Sequence, residues 1–156
     1  MATLEKAIEL AARAHAGQKD KQNLPYILHP LRVMMRVQGE EAQMVAILHD
    51  TLEDTDLTED DLRKAGFSEA VIAGVVACTH RHGESYTDYV IRCSRLEAAR
   101  QVKLADLAEN AGLERVLVRP DRLESDLSRV RRYLLAYKFL TGQHTEAEYR
   151  ALMAGG

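Results

Sequence analysis

Hydrophobic residues recur along most of the chain every three or four positions, which is the spacing of amphipathic α-helices. The first such segment carries Leu4, Ile8 and Ala11 on one face, and a long segment near the C-terminus carries Leu127 and Leu134. No strand-like alternation, hairpin turn pair or internal repeat interrupts the pattern. The pattern predicts nine helices, over about 3–16, 30–39, 40–52, 58–66, 68–79, 86–95, 96–110, 121–141 and 145–154.

Residues that cap helices mark several of these boundaries. Thr3, Thr58 and Ser68 each precede a predicted helix, and their hydroxyls can accept hydrogen bonds from the first backbone N–H groups. Gly17 and Gly142 follow predicted helices, where glycine tolerates the left-handed conformation that ends them.

The chain is long enough for one domain with a sizeable core. It has 156 residues, of which 46% are hydrophobic and 29% charged, as is typical of globular proteins. Only 5% are aromatic and none is Trp, so aliphatic side chains must fill the core. We predict a single all-α domain of about eight or nine helices over 1–156, with motifs in 14–110 and helices in 121–154 that complete the core.

Charge and cysteine usage exclude several function classes. The formal net charge is -3, which leaves no broad basic surface for nucleic acid. No stretch reaches 18 apolar residues and the N-terminus lacks a signal-peptide pattern, so we expect no membrane partner and a cytoplasmic location. Cys78 and Cys93 are far apart in sequence and are expected to be buried free thiols.

One segment, 44–54, joins an apolar run to a His–Asp pair and two further carboxylates. On a helix, the side chains of His49, Asp50, Glu53 and Asp54 would share an arc of about 140°. Carboxylates at this spacing repel one another, and a divalent cation would relieve that repulsion. The alternative is a solvated acidic helix end with an ordinary half-buried histidine.

Two more residues extend this candidate metal site. His29 stands just before the second predicted helix or at its cap, and Asp106 lies on the seventh. With His49 and Asp50 they offer two imidazole nitrogens and two carboxylate oxygens, which leaves room for water on an octahedral ion. Such an ion can turn water into a nucleophile and polarise a phosphoryl oxygen.

Neighbouring residues have the chemistry to assist such a reaction. Glu53 and Asp54 follow the His–Asp pair by one turn and could act as general base, orienting group or later proton donor. Three lysines and an amide could bind phosphate oxygens, namely Lys19, Lys21, Lys103 and Asn110.

Four segments, in this order, resemble the HD-domain metal phosphohydrolases. They are AHAGQ (14–18), PYILHPL (25–31), LHDTLEDT (48–55) and VKLADLAEN (102–110). Within those enzymes the chain is similar to the hydrolase domain of RelA/SpoT homologues and to the small single-domain alarmone hydrolases. A lone His–Asp pair is a weak signal, but four matching segments in order are a strong one.

The resemblance implies an HD-type helical bundle and a metal-dependent reaction. One divalent ion is bound, manganese before iron, zinc, cobalt or magnesium, and its ligands are His29, His49, Asp50 and Asp106. The implied catalytic pair is Glu53 and Asp54. The implied reaction removes the 3′-pyrophosphate of guanosine tetra- or pentaphosphate and releases pyrophosphate with GDP or GTP.

The candidate substrate-binding residues are His15, Lys21, Tyr26, Lys103 and Asn110, of which the resemblance implies Lys21 and Asn110. Three of the five have simple structural alternatives. Lys21 could be a solvent-exposed loop charge. A histidine near a helix C-terminus, as at His15, is favourable in any protein. Lys103 lies one turn before Asp106 and could simply pair with it.

The departures from the family pattern fall on substrate recognition. Asp20 stands where the alarmone hydrolases have an Arg that stacks on guanine, and a carboxylate cannot make that contact. Asn23 replaces a loop glycine but can still adopt a left-handed conformation. Leu113 replaces a Thr and cannot donate a hydrogen bond.

These departures leave two alternatives open: hydrolysis of another nucleotide or phosphate ester, and a nucleotide-binding or partner-binding domain without turnover. The expected partner is a small nucleotide, and the oligomeric state is open, with a dimer among the options. The loop with His80 and His82, and the helix face with Arg129, are expected to be solvated.

Overall fold

The computed structural model describes residues 1–116 and 120–155. Within them the chain is helical, and β structure is limited to one isolated bridge between Lys19 and Pro25. The predicted all-α class is confirmed. The helices are α1 (Leu4–Ala14), α2 (Leu28–Met34), α3 (Glu40–Leu48), α4 (Thr51–Asp54), α5 (Glu59–Lys64), α6 (Glu69–Cys78), α7 (Tyr86–Ser94), α8 (Glu97–Asn110), α9 (Leu113–Val116), α10 (Leu123–Leu140) and α11 (Glu146–Ala154), with a 3₁₀ turn at Pro120–Arg122.

Side-chain caps start the helices where the sequence predicts them. The Thr3 hydroxyl accepts a hydrogen bond from the Lys6 amide. Thr58 and Asp61 form a reciprocal capping box at α5, and Ser68 caps α6. Each cap satisfies backbone donors that the first helical turn leaves free.

Helix α3 lies at the centre of the larger hydrophobic core. Val45, Ala46, Ile47 and Leu48 are fully buried, and α3 packs against α1, α2, α6 and α8. Gly74 of α6 allows a close approach, because a Cβ there would lie 2.6 Å from Val45 Cγ2. The end of α3 is therefore held firmly at the point where the His–Asp pair begins.

A second, smaller core cluster joins the C-terminal helices to the rest of the fold. Val90, Leu107, Ala136, Leu140 and Tyr149 bring α7, α8, α10 and α11 together. Helix α8 contributes buried residues to both clusters. This helix therefore links the two halves of the core, and it also carries one of the candidate metal ligands.

The third predicted helix is interrupted, which changes the shape of the candidate site. Helix α3 ends at Leu48 and α4 begins only at Thr51. Side-chain donors take up backbone carbonyls at the break: His49 Nδ1 donates to Ala46 O at 2.7 Å, and Thr51 Oγ1 donates to Leu48 O at 2.7 Å. The predicted single helical face is wrong, because the His–Asp pair lies in the turn and the two following acids lie on α4.

The second predicted helix also has different bounds. Helix α2 spans Leu28–Met34, so His29 lies inside its first turn and not before it. Helix α9 was not predicted as a separate element. Among the described residues, no helix combines the length and the apolar character that crossing a bilayer requires.

Candidate metal centre

Four side chains from three parts of the fold converge at one place. His29 comes from the first turn of α2, His49 and Asp50 from the turn between α3 and α4, and Asp106 from the last third of α8. All but Asp50, which is partly exposed, are buried. The sequence separates these residues widely, and the packing of α2 and α8 on α3 brings them together.

The distances between their side-chain atoms suit the ligands of a single ion. His49 Nε2 lies 3.0 Å from Asp50 Oδ2, and His29 Nε2 lies 3.2 Å from Asp106 Oδ1. The crossed pairs, His29 with Asp50 and His49 with Asp106, are 3.8 and 3.9 Å apart. With metal–ligand bonds of about 2.1 Å, adjacent ligands lie about 3 Å apart and opposite ligands about 4.2 Å apart. All four of these His–Asp distances fall within that range, and the group whose ligand atoms all lie within 4.8 Å of one another is His29, His49 and Asp50.

His49 presents the nitrogen that a metal would bind. Its Nδ1–H donates to the carbonyl of Ala46, so the lone pair of the neutral ring lies on Nε2. Nε2 is buried and lies 3.0 Å from Asp50 Oδ2, but it makes no hydrogen bond of acceptable geometry to any described residue. A buried imidazole nitrogen in this state fits a cation, and the group formed by His29, His49 and Asp50 could hold one.

The charges of the site favour binding of a cation. Burial lowers the pKa of His49, but the carboxylates of Asp50 and Asp106 outweigh it and raise the pKa to about 9. Burial raises the pKa of Asp50, but His49 outweighs it and lowers the pKa to about 2. A proton on His49 therefore offsets only part of the charge of the two carboxylates, and a divalent ion would replace that proton.

Hydrogen bonds hold the two carboxylates in place. Tyr26 donates its hydroxyl to Asp50 Oδ2 at 2.5 Å. Lys103 Nζ donates to Asp106 Oδ2 at 2.9 Å, and Asn110 Nδ2 donates to Asp106 Oδ1 at 2.7 Å. Lys103 is buried and contacts the candidate metal ligand Asp106. Asn110 contacts Asp106 as well, but it also lines the neighbouring cavity.

His29 makes a contact that competes with metal binding. Arg115 Nη1 lies 3.2 Å from His29 Nδ1 and can only donate a hydrogen bond to it. In that arrangement the imidazole proton lies on Nε2, which faces Asp106. Metal binding through His29 Nε2 therefore requires the proton to move to Nδ1 and Arg115 to leave.

Glu53 is held by the loop that follows α6. The backbone N–H of His80 donates to Glu53 Oε2 at 3.0 Å. The His80 ring in turn donates from Nε2 to the carbonyl of Glu84 at 2.8 Å. His80 is exposed as predicted, but its backbone fixes one of the two candidate catalytic carboxylates.

Asp54 is tied to helix α1 through a side-chain relay. Gln18 Nε2 donates to the carbonyl of Asp54 at 2.8 Å, and Gln18 Oε1 accepts a hydrogen bond from His15 Nδ1 at 2.8 Å. His15 is buried, and its ring lies 4.9 Å from that of Tyr26. Burial, and then the charge of Asp50, raise the pKa of Asp54.

A small cavity of about 50 Å³ opens beside the metal centre. Its lining is polar, with three cationic residues and one carboxylate, and consists of Asp20, Lys21, Gln22, Asn110, Arg115, Arg129 and Tyr133. Lys21 and Asn110 are therefore brought together, as the resemblance implies. Arg129 is only 17% exposed at its side chain, so the predicted solvated face is wrong at this residue.

Asp20 has a structural task in the loop that forms one wall of this cavity. Its Oδ1 accepts hydrogen bonds from the backbone N–H groups of Gln22 and Leu24, at 2.8 and 3.0 Å. Asn23 adopts the left-handed conformation, with φ of 62°, as predicted for the residue that replaces a glycine. The altered loop is thus well ordered by its own hydrogen bonds.

Several residues of the site have no counterpart among the sequence predictions. Gln18 lies inside a segment that matches the family, so that segment could have pointed to it. Arg115 and Tyr133 have no such signal, because they lie on α9 and α10, outside the matching segments, and only the tertiary fold brings them to the cavity.

Comparison with known proteins supports the family assignment. No protein-family model matches the chain. The chain is 30% identical over 119 residues to a guanosine-3′,5′-bis(diphosphate) 3′-pyrophosphohydrolase of Aquifex aeolicus, covering 69% of this chain and 17% of that protein. It is 34% identical over 129 residues to a GTP pyrophosphokinase of Streptomyces coelicolor, covering 74% and 15%. The chain thus spans less than a fifth of the length of these relatives.

A solved structure has the same fold over nearly the whole length. A metazoan orthologue of SpoT, described as hydrolysing ppGpp, superposes with a TM-score of 0.73 at 21% identity, covering 99% of this chain and 93% of the other. At this identity the match establishes the helical fold.

Proposed function

We propose, from the premise that this chain belongs to the RelA/SpoT-type HD-domain family, that it is a metal-dependent phosphohydrolase. The proposed reaction is removal of the 3′-pyrophosphate from guanosine tetra- or pentaphosphate. The observation that carries the proposal is the convergence of His29, His49, Asp50 and Asp106, with Nε2 to Oδ distances of 3.0 to 3.9 Å.

These four residues would hold one divalent ion, which we propose to be manganese. When bound, the ion supplies a positive charge for a phosphoryl oxygen and lowers the pKa of water. Iron, zinc, cobalt and magnesium also accept nitrogen and oxygen ligands and are the alternatives to manganese.

The two carboxylates on α4 would manage the proton of the attacking water. Glu53 is oriented by the His80 N–H and can accept or orient that proton. Asp54 has a raised pKa, so it holds a proton more readily than an exposed aspartate and can return it to the leaving group. The relay from His15 through Gln18 fixes the backbone of Asp54.

The polar cavity would bind a phosphate group of the substrate. Lys21, Arg115 and Arg129 bring positive charge to it, and Asn110 can donate to a phosphate oxygen. Arg115 would also gain a phosphate partner when it leaves His29. At about 50 Å³ the cavity suits a single phosphate group of a nucleotide.

A second candidate function is hydrolysis of a different nucleotide or phosphate ester. Asp20 favours it, because an acidic side chain lines the cavity where the resemblance calls for a guanine-stacking Arg. A third candidate, binding without turnover, is disfavoured because a binding domain has no need for two clustered carboxylates on α4.

A nucleotide panel separates these candidates. Purified protein with Mn²⁺ is incubated with guanosine tetraphosphate, with its adenosine analogue and with nucleoside monophosphates. We expect pyrophosphate release from guanosine tetraphosphate, and loss of turnover with metal binding in Asp50→Ala. Free phosphate from monophosphates would favour the second candidate, and a metal-loaded protein without any turnover would favour the third.

A further inference from the structure

We propose that helix α10 forms the contact surface of a homodimer in which two copies of this helix pack antiparallel. Leu123, Leu127, Val130, Leu134 and Tyr137 follow one another at spacings of four, three, four and three residues. This alternation is the a–d spacing of a coiled coil. At about 100° per residue the five side chains lie within an arc of about 80°. We call these five residues the α10 seam.

The α10 seam faces solvent along the whole helix. Leu123 is 55% exposed, Leu127 58%, Leu134 57% and Tyr137 43%. Single exposed apolar residues are ordinary on protein surfaces, but a continuous stripe of this length marks an interaction site. The inference does not depend on the proposed enzymatic function.

The adjoining face of α10, centred about 100° around the helix from the seam, is already used inside the chain. Asp126, Ala136 and Leu140 are buried, and Arg129 and Tyr133 line the cavity beside the metal centre. By this face α10 packs against α7, α8 and α11. The seam is therefore available to a partner without any rearrangement of the fold.

Charges beside the seam favour a second copy of the chain. With Leu127 and Leu134 at a positions, the flanking e positions are Glu124, Arg131 and Lys138. In an antiparallel pair centred on the middle of α10, Glu124 of each copy lies beside Lys138 of the other. The symmetry produces this ion pair twice, once at each end of the interface.

The third e residue does not oppose this arrangement. Arg131 would lie near the dimer axis, facing its own symmetry mate. Its guanidinium donates to the carbonyl of Leu152 in its own chain at 2.9 Å, which draws the charge away from the seam. A parallel pair has no matching charges, because it sets e positions beside g positions, occupied here by buried Asp126, Tyr133 and buried Leu140.

Sedimentation velocity over a roughly 100-fold range of protein concentration tests the proposal. The full chain should be a dimer at the upper end of the range and dissociate on dilution. Leu134→Glu should be monomeric throughout with an unchanged circular dichroism spectrum, because the side chain is exposed in the monomer. Met35→Glu, at another exposed apolar residue (79% exposed), is the matched control and should dimerise like the wild type.

Charge exchange tests the antiparallel order. Glu124→Lys and Lys138→Glu should each weaken the dimer several-fold, because each sets like charges side by side. The double variant should recover the wild-type dissociation constant. A wild type that stays monomeric at the highest concentration would overturn the proposal, and so would a double variant weaker than both single variants.

Discussion

The candidate metal centre and the cluster around Arg92 both gather charged groups, but only the cluster around Arg92 satisfies its hydrogen-bond donors within the chain. Arg92 uses all its N–H donors: Nε and Nη2 bind the two oxygens of Glu84, at 2.8 and 2.7 Å. Nη1 also donates to the carbonyls of Val76 and Ala77, and Nη2 to that of Thr79, at 2.7 to 2.9 Å. We call these five residues the Arg92 cluster. It caps the C-terminal end of α6 and locks the loop after it.

The metal centre lacks this internal balance. Two carboxylates face two imidazoles, and His49 Nε2 lies 3.0 Å from Asp50 Oδ2 without a hydrogen bond of acceptable geometry to any described residue. Buried polar groups are normally satisfied within the protein, so a convergent set that is left incomplete points to a ligand. The difference separates a cluster that stabilises the fold from one that is arranged for an ion. The predictions below test that separation.

The largest expected difference is in the response to pH. Because the pKa of His49 is raised to about 9, a proton occupies the metal centre below that pH and competes with the ion. The affinity of metal-free protein for Mn²⁺ should therefore rise about tenfold per pH unit, or roughly 100-fold over two units below pH 9. Titration calorimetry in buffers of different ionisation enthalpy measures both the affinity and the proton released.

The Arg92 cluster should not respond in that pH range. Hydrogen bonds from Arg92 lower the pKa of Glu84 from its usual 4.5. Its contribution to stability is therefore full above that value and is lost as the pH falls through the lowered one. The gap in unfolding free energy between wild type and Glu84→Gln should be constant near neutral pH and shrink in acid.

The second largest effect is expected when Arg92, the centre of the Arg92 cluster, is replaced. Arg92→Met should lower the free energy of unfolding by about 2–3 kcal/mol, because it leaves Glu84 and three carbonyls without their donor. Denaturant unfolding measures the loss. Mn²⁺ affinity should stay within about twofold of the wild type, since the cluster does not touch the ligands. An equal loss of metal affinity would show that the two clusters are not separate.

The third effect is expected at Lys103, which contacts the candidate metal ligand Asp106. Lys103→Met removes the donor to Asp106 Oδ2 and should weaken Mn²⁺ binding by roughly 10- to 100-fold. Arg100→Met is a matched control on the same helix, because Arg100 pairs with Glu97 at the surface, away from the ligands. If both variants bind the ion as tightly as the wild type, Lys103 has no role in the site.

The smallest effect is expected at Arg115. Arg115→Gln removes a cation that donates to His29 Nδ1, so binding of Mn²⁺ in the absence of nucleotide should tighten by about two- to fivefold. In the proposed enzyme the same variant should raise KM, because the cavity loses a phosphate-binding charge. A weaker ion affinity would mean that Arg115 supports the ligand and does not compete with it.

Much of the fold follows from local chemistry in the sequence. Thr3, Thr58 and Ser68 start helices because their hydroxyls satisfy free N–H groups, and this depends on neighbours in sequence alone. The break after Leu48 cannot be predicted from the sequence, because the apolar run continues the helical pattern through it. The side-chain hydrogen bonds from His49 to the Ala46 carbonyl and from Thr51 to the Leu48 carbonyl compete with the helical ladder and reveal the turn.

In the candidate site, too, some residues can be predicted from the sequence and others only from the tertiary structure. The residue types and the matching segments pointed to His29, His49, Asp50 and Asp106, and the structure brings all four together. Arg115 and Tyr133 come from segments without a family match, and only tertiary packing sets them beside the cavity. The Arg92 cluster was missed for the same reason, since it joins α6, α7 and the loop between them.

Anomalous scattering from crystals grown with Mn²⁺ shows whether His29, His49, Asp50 and Asp106 hold one divalent ion. We expect a single peak about 2.2 Å from Nε2 of His29 and His49 and from one oxygen each of Asp50 and Asp106. A manganese peak outside this set, or no peak at saturating Mn²⁺, would contradict it.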